Sequence, residues 1–443
     1  ESAGALQHLR EYEAPVDGDR PDLDLVADSD LQDFFRREKI ARDLEPVFTT
    51  RFDRQVVPLA FADSRVELAL DQGVIAAGER ERTLCEAELE LKAGASGRLY
   101  ELAMLLHRQA SFRLEKASKA QRGYALYHNA PPVPQKAEKP ALSRDLSAGQ
   151  AFETLARACL RQIRANEDAV LDGRDPEGVH QMRVGLRRLR ALVSAFRAVI
   201  APEPYAYLRE ELRWMQQQLG PARDWDVFLA ETVAPLRARL PGAESLARLA
   251  AEADTLRAEG YEQARAGVLD DRYTALLLHL ELWLEGGGWR RPAAPNGADP
   301  ASTPVVRFAR EILDSRARKV KKLGKRHTDL SESDLHELRI RGKKLRYAGE
   351  FFHGLFPKKP TRLYLQHLEA IQDNLGAIND AATGQGLLDQ LDRQIARGAT
   401  APEILAANAT GLVQGWQAAQ IHRQFQDFAG TWKAFAKVEP FWR

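Results

Sequence analysis

The stretch "VHQMRVGLRRLRALVSAFRA" at 179–198 places a histidine and a run of arginines at helical spacing. At about 100° per residue, His180, Arg183, Arg187 and Arg190 fall on one side of a helix. Met182, Leu186, Leu189, Val193 and Phe196 fall on the opposite side. Like charges three and four residues apart repel by roughly a few tenths of a kcal/mol per pair. A solvated face would intersperse Glu and Asp. Guanidinium forks match phosphate oxygens, so the stripe suits an anionic ligand. The alternatives are an idle solvated face, or pairing of the arginines with acids such as Asp224 and Asp380.

The pattern recurs. His180, Arg183, Arg187, Arg188 and Arg190 have counterparts in His336, Arg339, Lys343, Lys344 and Arg346, with Leu338, Leu345 and Phe352 on the apolar side. Likewise "QQQLGPARD" (216–224) returns as "QDNLGAIND" (372–380), matching Gln216 to Gln372 and Gly220 to Gly376. Both motifs share an offset of 156 residues (336 − 180 and 375 − 219). A single long repeat, unlike a short tandem period, implies two similar helical bundles about a pseudo-two-fold axis. More base lies nearby: Lys319, Lys322 and Arg326 share one face by spacing, and Arg213 is the one basic residue in "ELRWMQQQL". If both copies face inward, these cations line one groove. Gly342-Lys343 lacks the earlier glycine of a P-loop, because Glu337 stands there. Neither motif histidine has a second His at i+4, which disfavours a helical metal site.

The elements that must position these residues follow from the chain's organisation. Its 443 residues suit two or three domains. Residues 1–126 show strand-like alternation with a helical stretch near 98–110. Residues 127–146 are a Pro-rich linker, and 147–440 are helical, in halves of about 147–285 and 305–440. In "CEAELELK", Glu86, Glu88, Glu90 and Lys92 share one strand face, and Cys85, Ala87, Leu89 and Leu91 the other. Arg65, Glu67 and Asp71 also share a face. Clustered carboxylates are the ligands Mg²⁺ prefers; the alternative is a charged edge strand facing solvent. Net charge is +1 and the pI is about 8.0, so any cationic site is local. Two cysteines give no disulfide framework, and no apolar run is long enough to span a bilayer. A cytoplasmic location without membrane association is expected.

These motifs resemble the CHAD family, the conserved histidine α-helical domain, over roughly 147–440. The resemblance implies two helical bundles around a basic groove and binding of inorganic polyphosphate. The implied binding residues are His180, Arg183, Arg187, Arg190, Arg213, Lys319, Lys322, His336, Arg339, Lys343 and Arg346. The first 126 residues resemble the later half of a CYTH domain, the triphosphate tunnel fold, through "FTTRFDR", "VELALDQGVIAAG", "CEAELELKAG" and "SKAQRGY". That resemblance implies an antiparallel β tunnel. Its catalytic cations would be Arg51, Arg54, Arg65 and Lys92, and Mg²⁺ or Mn²⁺ would be held by Glu86, Glu88 and Glu90. The family's opening Glu-x-Glu-x-Lys strand has no counterpart here, and "GALQHLREYE" reads as a strand from mid-domain.

The expected fold class is therefore α+β multidomain: all-α duplicated helical bundles preceded by part of an antiparallel β tunnel. CYTH–CHAD fusions of this layout resemble bacterial inorganic triphosphatases. The expected function is polyphosphate binding, fused to a metal-dependent triphosphatase-type domain, with triphosphate as substrate and a location at polyphosphate granules. The 443-residue chain by itself is expected to be inactive as a hydrolase. The rival readings are a non-enzymatic polyphosphate scaffold with a degenerate tunnel, and RNA binding by the same groove. The modest pI and the scarcity of aromatics in the stripes make nucleic acid the weaker partner.

Overall fold

In a computed structural model of the chain, residues 15, 22–26, 28–37, 44–293, 297, 299–326, 330–397 and 403–443 are described. The strand expected at "GALQHLREYE" lies outside them. The chain divides into two units, Glu1–Pro131 and Pro132–Arg443.

In the first unit the period-two alternation becomes an antiparallel meander of β1 (Thr49–Phe61), β2 (Ser64–Ala77) and β3 (Arg80–Ala93), in that order. Two-residue turns join the strands. Gly78, at φ +61°, supplies the left-handed backbone that such a turn requires. Each sheet face meets a different helix. Val66 of β2, with Leu89 and Leu91 of β3, packs on Leu99 and Leu102 of α1 (Gly97–His107). The opposite face carries Arg54, Asp71 and Glu86 side by side in register, beneath α2 (Lys119–His128). Strand alternation sorts the residues onto these faces, and a one-residue slip would exchange them.

The second unit is helical. Its first half contains α3 (Ala148–Ala165), α4 (Pro176–Ala195), α5 (Pro202–Gln218), α6 (Gly220–Val227), α7 (Glu244–Leu269) and α8 (Asp271–Gly286). Its second half contains α9 (Val305–Gly324), α10 (Glu332–Phe352), α11 (Lys358–Asn374), α12 (Gly376–Arg397) and α13 (Glu403–Ala436). The 156-residue offset carries the starts of α4, α5 and α6 onto those of α10, α11 and α12 (176 to 332, 202 to 358, 220 to 376). Helix starts are kept by function rather than by identity. Asp175 caps α4 by accepting from the Glu177 N–H, and its counterpart Ser331 closes a capping box on α10 with Asp334. The proline-rich stretch is tied to this unit: Leu142 is buried, and Asn166 bonds the Gln135 backbone through both its side-chain oxygen and nitrogen.

The halves meet at two joints. At the first, Ser147 and Pro304 form a short antiparallel bridge, with Ala148 N–H donating to Thr303 O and Val305 N–H to Leu146 O. Beneath it sit four buried phenylalanines in two offset-related pairs, Phe152 with Phe308 and Phe196 with Phe352. The Phe196 ring lies 4.7 Å from Phe308 and 5.9 Å from its own counterpart Phe352. The second joint buries Trp225, Phe228 and Leu249 of the first half with Leu387, Leu388 and Val413 of the second. The apolar residues assigned to α4 and α10 from the sequence are all buried.

One spacing argument fails. Lys319 and Lys322 are exposed on α9, but that helix ends at Gly324, so Arg326 lies beyond it and approaches Asp334 instead.

Phe196→Ala should lower the stability of the helical unit by about 3–5 kcal/mol. Combined with Phe352→Ala it should be non-additive, because the rings are neighbours. All 7 tryptophans lie beyond residue 132, so tryptophan fluorescence in a urea titration follows this unit alone.

A cationic cavity and a carboxylate cluster

Between the two joints of the helical unit lies a cavity of about 510 Å³. From α4 it receives His180, Arg183 and Arg187, from α6 Arg223 and Asp224, and from α10 Arg339 and Lys343. The remaining wall is mostly neutral, with Thr383 and Leu387 of α12 and Trp416, Gln417 and Gln420 of α13. Among the described residues, five permanent cations therefore face two lining carboxylates, Asp224 and Glu231.

Local sequence sets this geometry. Arg183, Arg187 and their mates project at i and i+4 from helices whose opposite faces fill the joints. A Cβ at Gly220 would stand 3.3 Å from Arg183 Nη1, so glycine lets the guanidinium lie against the start of α6. Just after α6 the helix takes one π-type turn, Phe228–Val233, which brings Glu231 and Thr232 to the cavity. Pro235 explains the turn: it has no N–H to donate to the carbonyl four residues earlier.

Charge crowding is visible in the ionisation of these groups. Burial, then the nearby Arg223, Arg187 and Arg183, hold the His180 imidazole below its ordinary range, with Glu177 opposing. Burial lowers Arg183 too, against the pull of Asp224, whose carboxylate lies 3.6 Å away. The expected pairing of an arginine with Asp224 thus holds for Arg183; the Asp380 side chain lies outside the described residues. Arg187 Nε is buried without a hydrogen-bond partner among the described residues.

The other helical candidates sit elsewhere. Arg190 and Arg213 are exposed, and Arg190 donates to Gln216 Oε1. His336 is exposed, and Lys319 and Lys322 lie on α9; none of the three lines the cavity. Arg346 is held by Glu369 at 3.2 Å and Glu350 at 3.5 Å. Arg223 is the cation that sequence reasoning missed. It lies inside the quoted "LGPARD", but its counterpart is Asn379, so a search for repeated base passes over it. Trp416, Gln417 and Gln420 carried no signal at all.

In the first unit the acidic face differs from expectation in one member. Asp71, Glu86 and Glu88 each offer an oxygen, all within 4.8 Å of one another. Glu90 is apart from them and pairs with Lys92 at 2.8 Å. The sequence run Glu86-x-Glu88-x-Glu90 suggests three equivalent ligands along one strand. Cross-strand register instead puts Asp71 opposite Glu86. Arg51 is likewise corrected. It is out of phase with Arg54, so it lies on the other face, the one that packs on α1, and is exposed there.

The carboxylates are already neutralised from within the unit. Arg54 donates two bonds of 2.7 Å to Asp71 and one of 2.7 Å to Glu88. Lys119 Nζ lies 2.8 Å from Asp71 and 2.6 Å from Glu88, and also contacts Glu86, which accepts from Arg122 as well. The hydrogen bond from Arg54, then that from Lys119, holds the Asp71 carboxyl at about 2 against the effect of burial. Burial alone would depress Lys119, but its three acidic partners outweigh it and raise its pKa. Two cations in the first turn of α2 oppose the helix dipole, and the carboxylates offset that. In ligand type and spacing the trio fits a hard divalent cation, at the place now taken by the Lys119 ammonium. Lys119→Met should therefore tighten Mn²⁺ binding to the chain by about tenfold or more, read by calorimetry. Unchanged affinity would mean that the trio is a purely internal ion-pair network.

Comparison with known proteins bears on both units. The CHAD domain family matches residues 154–389. The crystal structure of the CHAD domain from the plant Ricinus communis is similar at a TM-score of 0.58 and 33% identity, covering 69% of this chain and 98% of that one. PptA from Streptomyces chartreusis, 16% identical with a TM-score of 0.50, covers 65% of this chain and 99% of its own, and shares the fold. An inorganic triphosphatase from Haemophilus influenzae is 41% identical over 83 residues. That match lies in the N-terminal region, whose β structure is consistent with a CYTH domain, and takes in 19% of this chain. The chain spans only about a quarter (24%) of that relative's length. Among the described residues no helix is long and apolar enough to cross a membrane.

Proposed function

We propose that this chain, which belongs to the CHAD domain family, binds inorganic polyphosphate in the cavity between its two helical halves. One observation carries the reading: five permanent cations drawn from both halves converge on one cavity, against two carboxylates among the described residues. Without a ligand that arrangement is costly, since burial and mutual repulsion already depress Arg183 and His180. A polyanion relieves both costs. Guanidinium forks from Arg183, Arg187, Arg223 and Arg339 take phosphate oxygens two at a time, and Lys343 adds a point charge. Thr383, Gln417 and Gln420 on the facing wall offer neutral hydrogen bonds.

The N-terminal unit is proposed to be part of a metal-dependent triphosphatase-type domain, a reading supported by the Haemophilus influenzae relative. Asp71, Glu86 and Glu88 would hold the Mg²⁺ or Mn²⁺. Bound there, the ion would supply charge neutralisation and orientation of phosphate oxygens. The chain's own groups bind and orient. Arg54 and Lys119 stand beside the carboxylates and can turn to a phosphate when these are engaged. Arg65, Glu67 and Lys92 lie farther along the same face, where Lys92 bridges Glu90 and Glu67.

Arg183→Ala, Arg187→Ala, Arg339→Ala and Lys343→Ala should each weaken polyphosphate binding by about 1–3 kcal/mol. The logarithm of the affinity should fall linearly with that of salt concentration. No binding at low salt, or a response confined to one half, would sink the shared-cavity reading.

The polyanion should also move a proton. Bound phosphate reverses the potential that Arg183, Arg187 and Arg223 impose on His180, so its pKa rises on binding. Proton uptake then occurs between the lowered free value and the raised bound value, and affinity increases as pH falls through that window. Calorimetry near pH 6 in buffers of different ionisation enthalpy should show this uptake, and His180→Gln should abolish it.

A further inference from the structure

The two halves share the cavity, but the surfaces leading away from it are unlike. On the first half the base continues. Arg190 stands one turn beyond Arg187 on α4, and Arg209 and Arg213 stand one turn apart on α5. Arg190 is crowded by Arg213 and Arg209 and by no carboxylate, and all three are exposed. None of the three has an ion-pair partner among the described residues. The acids of α5 are turned elsewhere, with Glu211 accepting from Arg272 at 2.7 Å and Glu210 lying 3.8 Å from it. Farther along, Arg209 and Arg197 lie over the Tyr205 ring, at 5.8 and 5.2 Å from its centroid. Gln216 ties the surface to the cavity, because its backbone oxygen accepts from Arg183 and its side-chain oxygen from Arg190.

The offset places His353, Thr361, Leu365 and Glu369 at the corresponding positions of the second half, in place of Arg197, Tyr205, Arg209 and Arg213. The match of Glu369 to Arg213 is decisive. Glu369 pairs with Arg346, the counterpart of Arg190, and Glu350 pairs with it too. An anion leaving the cavity on that side meets a carboxylate before the next cation of that stripe, Arg362.

Resting on the polyphosphate reading above, we infer that the first half carries a second anion subsite, made by Arg190, Arg209 and Arg213. It receives the phosphate chain as it leaves the cavity, while Glu369 closes the equivalent path on the second half. Short phosphates fill the cavity alone, and chains long enough to reach α5 gain the additional contacts. Chain length is thereby sensed through one exit.

The test uses the full chain with two probes, tripolyphosphate and long-chain polyphosphate, by calorimetry at one fixed salt concentration. Arg209→Ala/Arg213→Ala should weaken long-chain binding by about tenfold or more and leave tripolyphosphate unchanged. Glu369→Gln should strengthen long-chain binding by freeing Arg346. Equal effects of the Arg209/Arg213 pair on both probes, or no effect on either, overturn the subsite. If Arg183→Ala/Arg187→Ala abolishes binding while the α5 pair changes nothing, the cavity reading stands and the subsite falls. If the unaltered chain binds neither probe, the cavity reading itself fails.

Discussion

Burial of apolar surface at the two joints of the helical unit is what permits its concentration of charge. Arg183, Arg187, Arg223, Arg339 and Lys343 bring like charge to one cavity, and burial penalises Arg183 further. Asp224 offsets part of this for Arg183, and an apolar scaffold holds the group in place. The Phe152, Phe196, Phe308 and Phe352 cluster on one side does so, together with the Trp225–Leu388–Val413 core on the other. Each large aromatic removed from water is worth roughly 1.5–3 kcal/mol, and tight packing makes the arrangement stiff. Charge that would disperse on a flexible surface is therefore fixed in place before any ligand arrives. That is the condition under which electrostatic recognition is strongest.

The N-terminal sheet solves the opposite problem. Its carboxylates would repel one another, and β1 and α2 together supply the compensating cations. Arg54, Lys119 and Arg122 face Asp71, Glu86 and Glu88. The capping box of Ser118 with Gln121 fixes the start of α2, and so the place of Lys119. A helix end thus decides which cation the carboxylates see.

Much of this was legible in the sequence because duplication leaves a numerical trace. The common offset of two motifs predicted paired bundles, and period 3.6 separated the cationic from the apolar side of α4 and α10. Arg223 escaped because its partner position holds Asn379, and a repeat reveals only what both copies keep. Trp416 and Gln417 escaped because α13 reaches the cavity through tertiary packing, which leaves no local pattern. Within the sheet, strand phase correctly joined Glu86 to Glu88. It could not show that register brings in Asp71 while Glu90 turns to Lys92. For Arg51 the phase of β1 relative to its neighbours mattered, and one residue sufficed to place it on the wrong face. Arg326 was misassigned because the helix was extended past Gly324.

The first joint brings equivalent positions together: Phe196 lies against Phe352, and the backbone bridge at Ser147 and Pro304 is nearly self-complementary. This is the isologous geometry of a symmetric homodimer, here enclosed in one polypeptide. A dimer of identical subunits must repeat every substitution on both sides of its axis. Joining the subunits end to end removes that obligation while keeping their association intramolecular and concentration-independent. One copy could then exchange arginine for glutamate on its outer helix while the other did not. Fusion thus gives a symmetric scaffold a front and a back, which no assembly of identical chains about the same axis can possess.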